Sequence, residues 1–438
     1  MKKNIRNIFF LFVICCFSVN HLFAEKVNLE YQKVKLENGL NVIMLEDHDN
    51  PSVSFNIFVK ASNLTEKENI LGISHFCEHL FFRGTDKING QDLKKRIEIM
   101  GAEVNGVTNK DFTQYYVNVP SKYLGEAVEI FYEALSNPAY KSDDVEKERN
   151  IILEEYNLSI NNPFANMLNE LYYLSFKNHP YQYPTIGSAT TLKSITRNDL
   201  ISYYKKYYFP ENITIVITGD FYSSQILPLL RNTFAKLKNE PAQNKVESYE
   251  YIHTSNETVE RKDVSSGLLA IGYYVPSIRD KNELYAIDVL TFILGQGEGA
   301  YLNSIKHSKA LESISVDFIT SKEPGLLIIS AAFKNDKYKE IKDAILTKLD
   351  FIRKGVLSDS DFERGKKFLV GSFVFQNESN KGKASTLGFY ESIYDAGFAE
   401  SYLEQISKVS KEDVIRAARK YLNENYNMVV YLPNSQEK

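Results

Sequence analysis

The chain has 438 residues, of which 43% are apolar and 25% are charged. Such a length is more than one hydrophobic core usually supports, so we expect at least two domains. The formal net charge of −4 provides no basic surface for a polyanion, so we expect no nucleic-acid partner.

The first 24 residues have the pattern of an export signal. Lys2 and Arg6 give a positive start, an apolar run extends from Ile8 to Val19, and cleavage is expected after Ala24. The apolar run is shorter than the roughly 20 residues that span a bilayer, so we expect no permanent membrane span after cleavage. The pattern predicts an exported protein, periplasmic in a bacterium.

Apolar periodicity predicts groups of strands and helices after this signal. Around Asn38-Gly39 it predicts a hairpin whose strands are Leu40–Leu45 and Val53–Val59. A turn at Gly101–Thr108 is expected to precede a strand at Phe112–Val119. The predicted helices of this region are Glu66–Phe82, Gly90–Met100, Ser121–Ser136 and Ser142–Ile160. This grouping, rather than a strict βαβ series, predicts an α+β fold.

A helix–strand pair occurs twice, with Asp199 recurring 214 residues later as Asp413. Each copy begins with a helix capped by Thr or Ser, continues to a tyrosine, and ends in an apolar strand. A period this long indicates a duplicated domain rather than a solenoid. The expected halves are 25–240 and 251–438, with a linker at 241–250. A chance match of one helix–strand pair is the alternative.

The stretch His75-Phe76-Cys77-Glu78-His79 carries the clearest chemistry in the sequence. His75 and His79 are four residues apart, so on a helix they share one face and can bind one metal ion. Glu78 lies on the flank of that face, where it could accept a proton from a metal-bound water. The spacing H-x-x-E-H is that of the inverzincins, which reverse the commoner zinc-protease motif. A helix with two surface histidines and a solvated glutamate is the alternative.

A catalytic zinc site needs a third protein ligand and one open position. The acidic helix predicted at Ser142–Ile160 offers Glu148 and Glu155, which are two helical turns apart on one face. Either carboxylate could bind the metal while the other orients a ligating histidine. A solvated acidic surface helix is the alternative.

Two further residues near these motifs are interpreted as structural. Cys77 points about 200° away from the histidine face, so we expect a small buried hydrophobe. It would be the only cysteine after signal removal, which excludes an internal disulfide. His179, which precedes Pro180, is interpreted as a turn residue.

Together these segments resemble the pitrilysin family of metallopeptidases, which includes insulin-degrading enzyme and the mitochondrial processing peptidase. The resemblance covers nearly the whole mature chain and is carried by His75–His79, Glu148–Glu155, Gly101–Asn105, His179–Tyr181 and Gly219-Asp220. It implies two homologous α+β halves, each a mostly antiparallel sheet covered by helices, which enclose a chamber.

The resemblance also assigns roles to single residues. It implies that His75, His79 and Glu155 bind one Zn²⁺ in each chain. It further implies that Glu148 supports a ligating histidine and that Glu78 is the general base. In this scheme Glu78 takes a proton from the attacking water and returns it to the leaving amine of the cleaved peptide bond.

In this family an extended peptide lies along an edge strand near the metal, where backbone hydrogen bonds hold it. The strand that follows Asn105 is the candidate here, and Asn105 is expected to contact the substrate backbone. A purely structural turn at Asn105-Gly106 is the alternative.

The sequence departs from the family pattern in its second half. Family members use an arginine and a tyrosine, seven residues apart, to bind substrate and stabilise the oxyanion. The matching positions hold Lys306, a candidate substrate-binding residue, and Ser313. A lysine cannot form a planar bidentate fork, and a serine cannot reach as far as a phenol. The resemblance thus implies a homologous partner subunit that supplies this clamp. A second half that only forms the chamber wall is the alternative.

The sequence therefore predicts a periplasmic zinc endopeptidase. Its expected substrates are short or unfolded peptides, because a closed chamber cannot admit a folded protein. Two other functions remain open at this point: a non-catalytic structural or assembly subunit, and a soluble peptide-binding protein of the same fold.

Overall fold

The computed structural model describes residues 27–238, 253–307, 310–334 and 336–434. The predicted signal peptide at 1–24 and the predicted linker at 241–250 lie outside these residues. None of the helices in the described part is long and apolar enough to cross a membrane.

The first half of the chain forms sheet 1 and its helices. Its strands are β1 (Gln32–Lys35), β2 (Asn41–Glu46), β3 (Ser52–Val59), β4 (Glu103–Thr108), β5 (Thr113–Pro120) and β6 (Ile213–Gly219). Its helices are α1 (Ile73–Leu80), α2 (Gly90–Ile99), α3 (Leu124–Ser136), α4 (Ser142–Ile160), α5 (Pro163–Ser175), α6 (Ala189–Ser194), α7 (Arg197–Tyr207) and α8 (Ser223–Asn232).

The second half forms sheet 2 in the same manner. Its strands are β7 (Glu257–Lys262), β8 (Gly267–Val275), β9 (Leu311–Phe318), β10 (Gly325–Phe333) and β11 (Tyr426–Pro433). Its helices are α9 (Lys281–Gly295), α10 (Tyr338–Arg353), α11 (Asp359–Gln376), α12 (Asn380–Ile393), α13 (Gly397–Lys408) and α14 (Lys411–Tyr421).

The two sheets have the same strand order. Sheet 1 runs β1-β2-β6-β3-β5-β4, and sheet 2 runs β7-β11-β8-β10-β9. Apart from the additional β1, each strand of sheet 1 therefore has a counterpart in sheet 2. One pair in each sheet is parallel, β2 with β6 and β7 with β11, and the other pairs are antiparallel. The expected fold of two homologous α+β halves is confirmed.

The duplicated helix–strand pair corresponds to α7–β6 and α14–β11. Both helices begin with a capping box, formed by Thr196 with Asp199 in one half and by Ser410 with Asp413 in the other. In each box the hydroxyl accepts a backbone N–H while the aspartate accepts the N–H of the cap residue, so two free donors of the first turn are satisfied. The sequence similarity that indicated the duplication therefore includes the capping box at the start of each helix.

The predicted hairpin pairing is wrong in part. Strand β2 does pair with β1 across the turn at Asn38-Gly39, but it does not pair with β3. Strand β6 lies between β2 and β3, parallel to the first and antiparallel to the second. Alternating apolar residues indicate a strand but do not specify its neighbour, and here the neighbour comes from far along the chain.

Two other predicted elements need correction. The helix expected at Glu66–Phe82 begins only at Ile73, because Gly72 has a left-handed φ of 89° that interrupts the preceding short turns. The turn expected at Gly101–Thr108 is instead the strand β4, which forms the edge of sheet 1. The predicted edge strand at Phe112–Val119 is β5, which lies between β3 and β4.

The two halves exchange covering helices. Helix α5 of the first half packs through Met167 and Leu171 onto sheet 2, next to Val429. Helix α12 of the second half packs on sheet 1, where Gly388 lies against the ring of Phe58 with no space for a Cβ. The halves therefore share their apolar cores and are held together as one body by these two helices.

Candidate metal centre

Helix α1 presents two histidines on one face and an apolar surface on the other. Ile73, Phe76 and Leu80 are fully buried, so they hold the helix on sheet 1. Cys77 is a free thiol that is also buried, and burial raises its pKa to about 12. The expectation of a small buried hydrophobe at this position is confirmed.

The start of α1 is fixed by a half-buried carboxylate, that of Glu66. Glu66 accepts hydrogen bonds from the backbone N–H groups of Gly72 and Ser74, each at 2.9 Å. These donors have no partner within the helix, and burial raises the pKa of Glu66 while the bonds oppose that shift. Gly72 lies so close to the carbonyl of Ile186 that a side chain would not fit. The first turn, which bears His75, is therefore held from two sides.

The ligating atoms expected from the sequence lie together. Nε2 of His75 is 3.3 Å from Nε2 of His79, which is 3.4 Å from Oε2 of Glu155. The distance from His75 Nε2 to the same Glu155 oxygen is 3.8 Å. In a tetrahedral site with bonds of about 2.0–2.1 Å, ligand atoms are about 3.3–3.4 Å apart. Two imidazoles and a carboxylate at these separations fit a zinc ion and leave a fourth position open.

The pKa values of the two histidines shift in opposite directions. Burial, and next the neighbouring His79, lower the pKa of His75 to about 3, so its imidazole is neutral and keeps a lone pair for a metal. Burial also lowers the pKa of His79, but its hydrogen bond to Glu148 and the charges of Glu78 and Glu155 outweigh this and raise it overall. The negative charge around His79 also favours a cation at the same place.

Helix α4 supplies both acidic residues of the predicted run. Glu155 has a side chain that is 44% exposed, whereas that of Glu148 is 1% exposed. Oε2 of Glu148 lies 3.1 Å from Nδ1 of His79, and its Oε1 lies 2.6 Å from Nε of Arg83. The structure thus places a carboxylate oxygen of Glu155 beside Nε2 of both histidines, and Glu148 behind His79. Glu154 is exposed and outside the group.

Glu78 is a residue of α1, and its carboxylate lies against the edge strand β4. Its Oε2 accepts a hydrogen bond from Thr108 at 3.2 Å and lies 3.8 Å from Nε2 of His75. Burial raises the pKa of Glu78, while His79 and the Thr108 hydroxyl oppose that shift. A carboxylate with a raised pKa beside the cluster is suited to taking up a proton. The space for it exists because Gly106 has no side chain: a Cβ there would be 2.5 Å from Oε1 of Glu78.

A pocket of about 1640 Å³ opens in front of the cluster. Its walls are α1, α2, β4 and one face of α4, all from the first half. Among the described residues, β4 pairs only with β5, so its other edge is free along the pocket. Asn105 lies on this strand, is exposed, and accepts the N–H of Gly106 through its own side chain. The alternative of a turn at Asn105-Gly106 is wrong.

Two other candidate residues, His179 and Ser313, are not among the residues that line the pocket. His179 is 1% exposed, accepts the N–H of Tyr181 at 3.1 Å and caps a short turn, as expected of a structural residue. Ser313 is an exposed residue of β9 in the second half. Lys306 belongs to the short helix Tyr301–His307, and its side chain lies outside the described part of the molecule.

Sequence reasoning missed three residues that shape the centre: Glu66, Arg83 and Thr108. Arg83 follows His79 by four residues, so the helical spacing that joined the two histidines also pointed to it. Glu66 and Thr108 carried no comparable signal, because their contacts depend on how α1 packs between distant segments.

The fold and this cluster define a class of protein with two homologous halves and an H-x-x-E-H site in the first. Two family models match the chain: "Insulinase (Peptidase family M16)" at residues 41–189 and "Peptidase M16 inactive domain" at residues 194–369. The chain belongs to this family, the M16 or pitrilysin peptidases, as its resemblance implied.

Relatives of similar length carry protease names. The zinc protease PqqE of Helicobacter pylori is 24% identical over 420 residues, which cover 93% of this chain and 94% of the relative. The uncharacterized zinc protease YmxG of Bacillus subtilis is 23% identical and covers 91% and 97%. The coarser expectation of a metallopeptidase-like protein is supported by these names.

Solved structures share the fold. A protease from Helicobacter pylori superposes with a TM-score of 0.87 at 22% identity, covering 92% of this chain and 99% of that one. A peptidase M16 inactive domain from Pseudomonas fluorescens superposes with a TM-score of 0.84 at 20% identity, covering 93% and 99%. These likenesses extend over both halves of the chain.

Proposed function

We propose that this protein is a zinc-dependent endopeptidase that hydrolyses peptide bonds of short or unfolded peptides. The observation that carries the proposal is the position of His75, His79 and Glu155 around one point, with Glu78 beside them at a free strand edge. A scaffold or a peptide carrier has no need of these four groups in this arrangement. The protease names of the relatives agree with this reading.

A residue can be assigned to each step of the proposed hydrolysis. A peptide that pairs with the free edge of β4 would gain backbone hydrogen bonds and lie beside Glu78, and Asn105 on that strand could contact it. A zinc ion held by the three ligands would supply Lewis acidity, which acidifies water and polarises a carbonyl. Glu78 would accept the proton of the attacking water and pass it to the leaving amine. Glu148 would orient His79.

We also propose that a homologous partner completes the site. The described lining of the pocket comes from the first half only, so no described residue of the second half lines the space in front of the cluster. A partner with the arginine and tyrosine of the family would close the expected chamber and clamp the substrate. The export signal predicted at 1–24 supports a periplasmic location for such a complex.

The decisive experiment is to measure zinc in the purified chain by mass spectrometry together with peptide hydrolysis. We expect one zinc per chain, and Glu78→Gln should retain the metal while losing roughly 10²–10⁴-fold in activity. Glu98→Gln is a suitable control, because Glu98 also lines the pocket but is exposed and lies on α2. Wild-type protein without zinc would refute the proposal. A peptide-binding protein would instead show peptide affinity that chelators leave unchanged.

The partner is tested by assaying the chain alone and with a homologous chain from the same organism. We expect the mixture to be much more active than either component. Full activity of the pure chain would reject an obligate partner while leaving the zinc site in place.

A further inference from the structure

Arg83 connects the pocket surface to His79 through one buried carboxylate. Its Nε lies 2.6 Å from Oε1 of Glu148, and the other oxygen of Glu148 lies 3.1 Å from Nδ1 of His79. The Arg83 side chain is 50% exposed, whereas that of Glu148 is 1% exposed. Each oxygen of this carboxylate thus faces one partner, a cation on one side and a candidate metal ligand on the other.

The backbone at Arg83 is fixed relative to α1. Its N–H donates to the carbonyl of Leu80 at 3.1 Å, so the turn continues directly from the helix that carries the histidines. On the opposite side, Gly90 at the start of α2 packs against Arg83, and a Cβ on Gly90 would be 2.7 Å from its carbonyl oxygen. The guanidinium therefore starts from a rigid position rather than from a free loop.

The two histidines are oriented in different ways. Nδ1 of His75 is buried, and the described part of the chain offers it no hydrogen-bond partner, so no contact at Nδ1 orients that ring. Nδ1 of His79 faces Glu148 instead. A buried carboxylate that loses its cationic partner is costly to hold in place. The orientation of His79 therefore depends on a contact that itself depends on Arg83.

We propose that Arg83 is a positioning residue of the metal centre, which holds Glu148 in the orientation that directs Nε2 of His79 towards the metal. This inference rests on the proposed function, because it takes His75, His79 and Glu155 as zinc ligands. Loss of a residue that orients a ligating histidine typically weakens metal binding roughly 10–100-fold. Arg83 contacts Glu148 and not the histidine, so we expect its loss to have an effect at the lower end of this range, about tenfold weaker zinc binding.

The test is the affinity of the full chain for zinc, measured with the metal ion alone by competition against a chromophoric chelator. Arg83→Met removes the charge but keeps much of the side-chain length, and it should weaken binding about tenfold. Arg83→Lys should restore most of the affinity. Lysine keeps the positive charge that the buried carboxylate of Glu148 needs as its partner.

A matched control lies on the next helix. Arg96 also pairs through its Nε with a carboxylate, that of Glu126 at 3.2 Å, and both side chains are 37% exposed. Arg96→Met should therefore leave zinc affinity unchanged. Arg83→Met and Glu148→Gln should be strongly non-additive, because both break the same line of contacts.

The possible failures can be told apart. Wild-type zinc affinity in Arg83→Met, or full additivity with Glu148→Gln, would overturn the role of Arg83 and leave the proposed function standing. A wild-type chain that binds no zinc would overturn both. If melting of the metal-free protein shows that methionine disturbs the fold, Arg83→Gln provides the same comparison with a polar side chain.

Discussion

The two halves differ most where a helix meets the edge strand of its sheet. In the first half, α1 meets β4 at Gly106, and the space over this glycine holds the carboxylate of Glu78. In the second half, α9 lies against β9, and the glycine is on the helix: a Cβ on Gly295 would be 2.7 Å from Cβ of Val316. The same close approach thus accommodates an acid in one half and an aliphatic side chain in the other.

The helices that pack against α1 and α9 also differ, with polar contacts in the first half and apolar contacts in the second. In the first half, α4 places the buried Glu148 against His79 of α1. In the second half, α11 has Gly365 at the contact with α9. The missing side chain of this glycine leaves space for the side chain of Ile293. A polar cluster in one half therefore corresponds to apolar packing in the other.

The largest expected effect on the polar cluster of the first half comes from replacing Glu155. Glu155→Gln should remove a charged ligand and weaken zinc binding more than about 100-fold, which exceeds the usual effect of a residue that only supports a ligand. Peptidase activity should fall with metal content. Glu154→Gln is the control, because this neighbour is exposed and outside the cluster. Equal zinc content in both variants would show that Glu155 is not a ligand.

Gly106→Ala tests the place where the halves differ. The added Cβ would lie 2.5 Å from Oε1 of Glu78, so the carboxylate must move. A shift of about 1 Å in a reacting group can reduce the rate roughly 100-fold. We expect that loss in the rate constant for hydrolysis, with zinc content unchanged. Unaltered activity would mean that Glu78 does not act from the position seen here.

Gly295→Ala makes the corresponding change in the second half. Its Cβ would contact Val316, so we expect a loss of about 1–3 kcal/mol in stability from overpacking, with zinc binding unaffected. Gly371→Ala is the control, since nothing lies within 4 Å of a Cβ there and it is inside α11. Thermal melts of both variants should separate them. Reduced zinc binding in Gly295→Ala would show that the halves are coupled at this point.

The sequence specified the chemistry of the site better than its surroundings. The order and spacing of His75, His79, Glu148 and Glu155 follow from helical geometry once α1 and α4 are placed, and α4 begins and ends at the predicted residues, Ser142 and Ile160. Helical periodicity is a local property, so it can be read from one segment. That α1 and α4 pack together was not a local property, and it came from the family resemblance.

The pairing of strands and the sharing of cores could not be predicted in this way. Strand β6 inserts between β2 and β3 although it lies far along the chain, and α12 covers sheet 1 although it belongs to the second half. Both depend on contacts between distant segments, which an alternating apolar pattern does not specify. The helix predicted from Glu66 begins only at Ile73, because Gly72 has a left-handed φ at the place where it lies close to Ile186.

The smallest effect concerns a largely buried carboxyl of the second half, Asp288 on α9. Burial raises its pKa to about 7, although the hydroxyl of Tyr402 donates a hydrogen bond to it at 2.7 Å and opposes this shift. In the unfolded chain an aspartate has a pKa of about 3.9. Between about pH 4 and pH 7 the unfolded state therefore releases a proton that the folded state retains, and stability falls as pH rises through this range.

Asp288→Asn should remove this loss, because an amide keeps an acceptor for Tyr402 but cannot ionise. A full shift of about three pKa units would correspond to roughly 4 kcal/mol, and partial exposure of Asp288 reduces this, so we expect about 1–2 kcal/mol. The variant should melt above the wild type at pH 8, and the difference should shrink towards pH 4.5. Asp343→Asn, at an exposed position of α10, should show no such dependence. A gain for Asp288→Asn that is equal at both pH values would contradict ionisation as its cause. In that case Asp288 would affect stability through packing and not through its charge, unlike the charged groups around His75 and His79 in the first half.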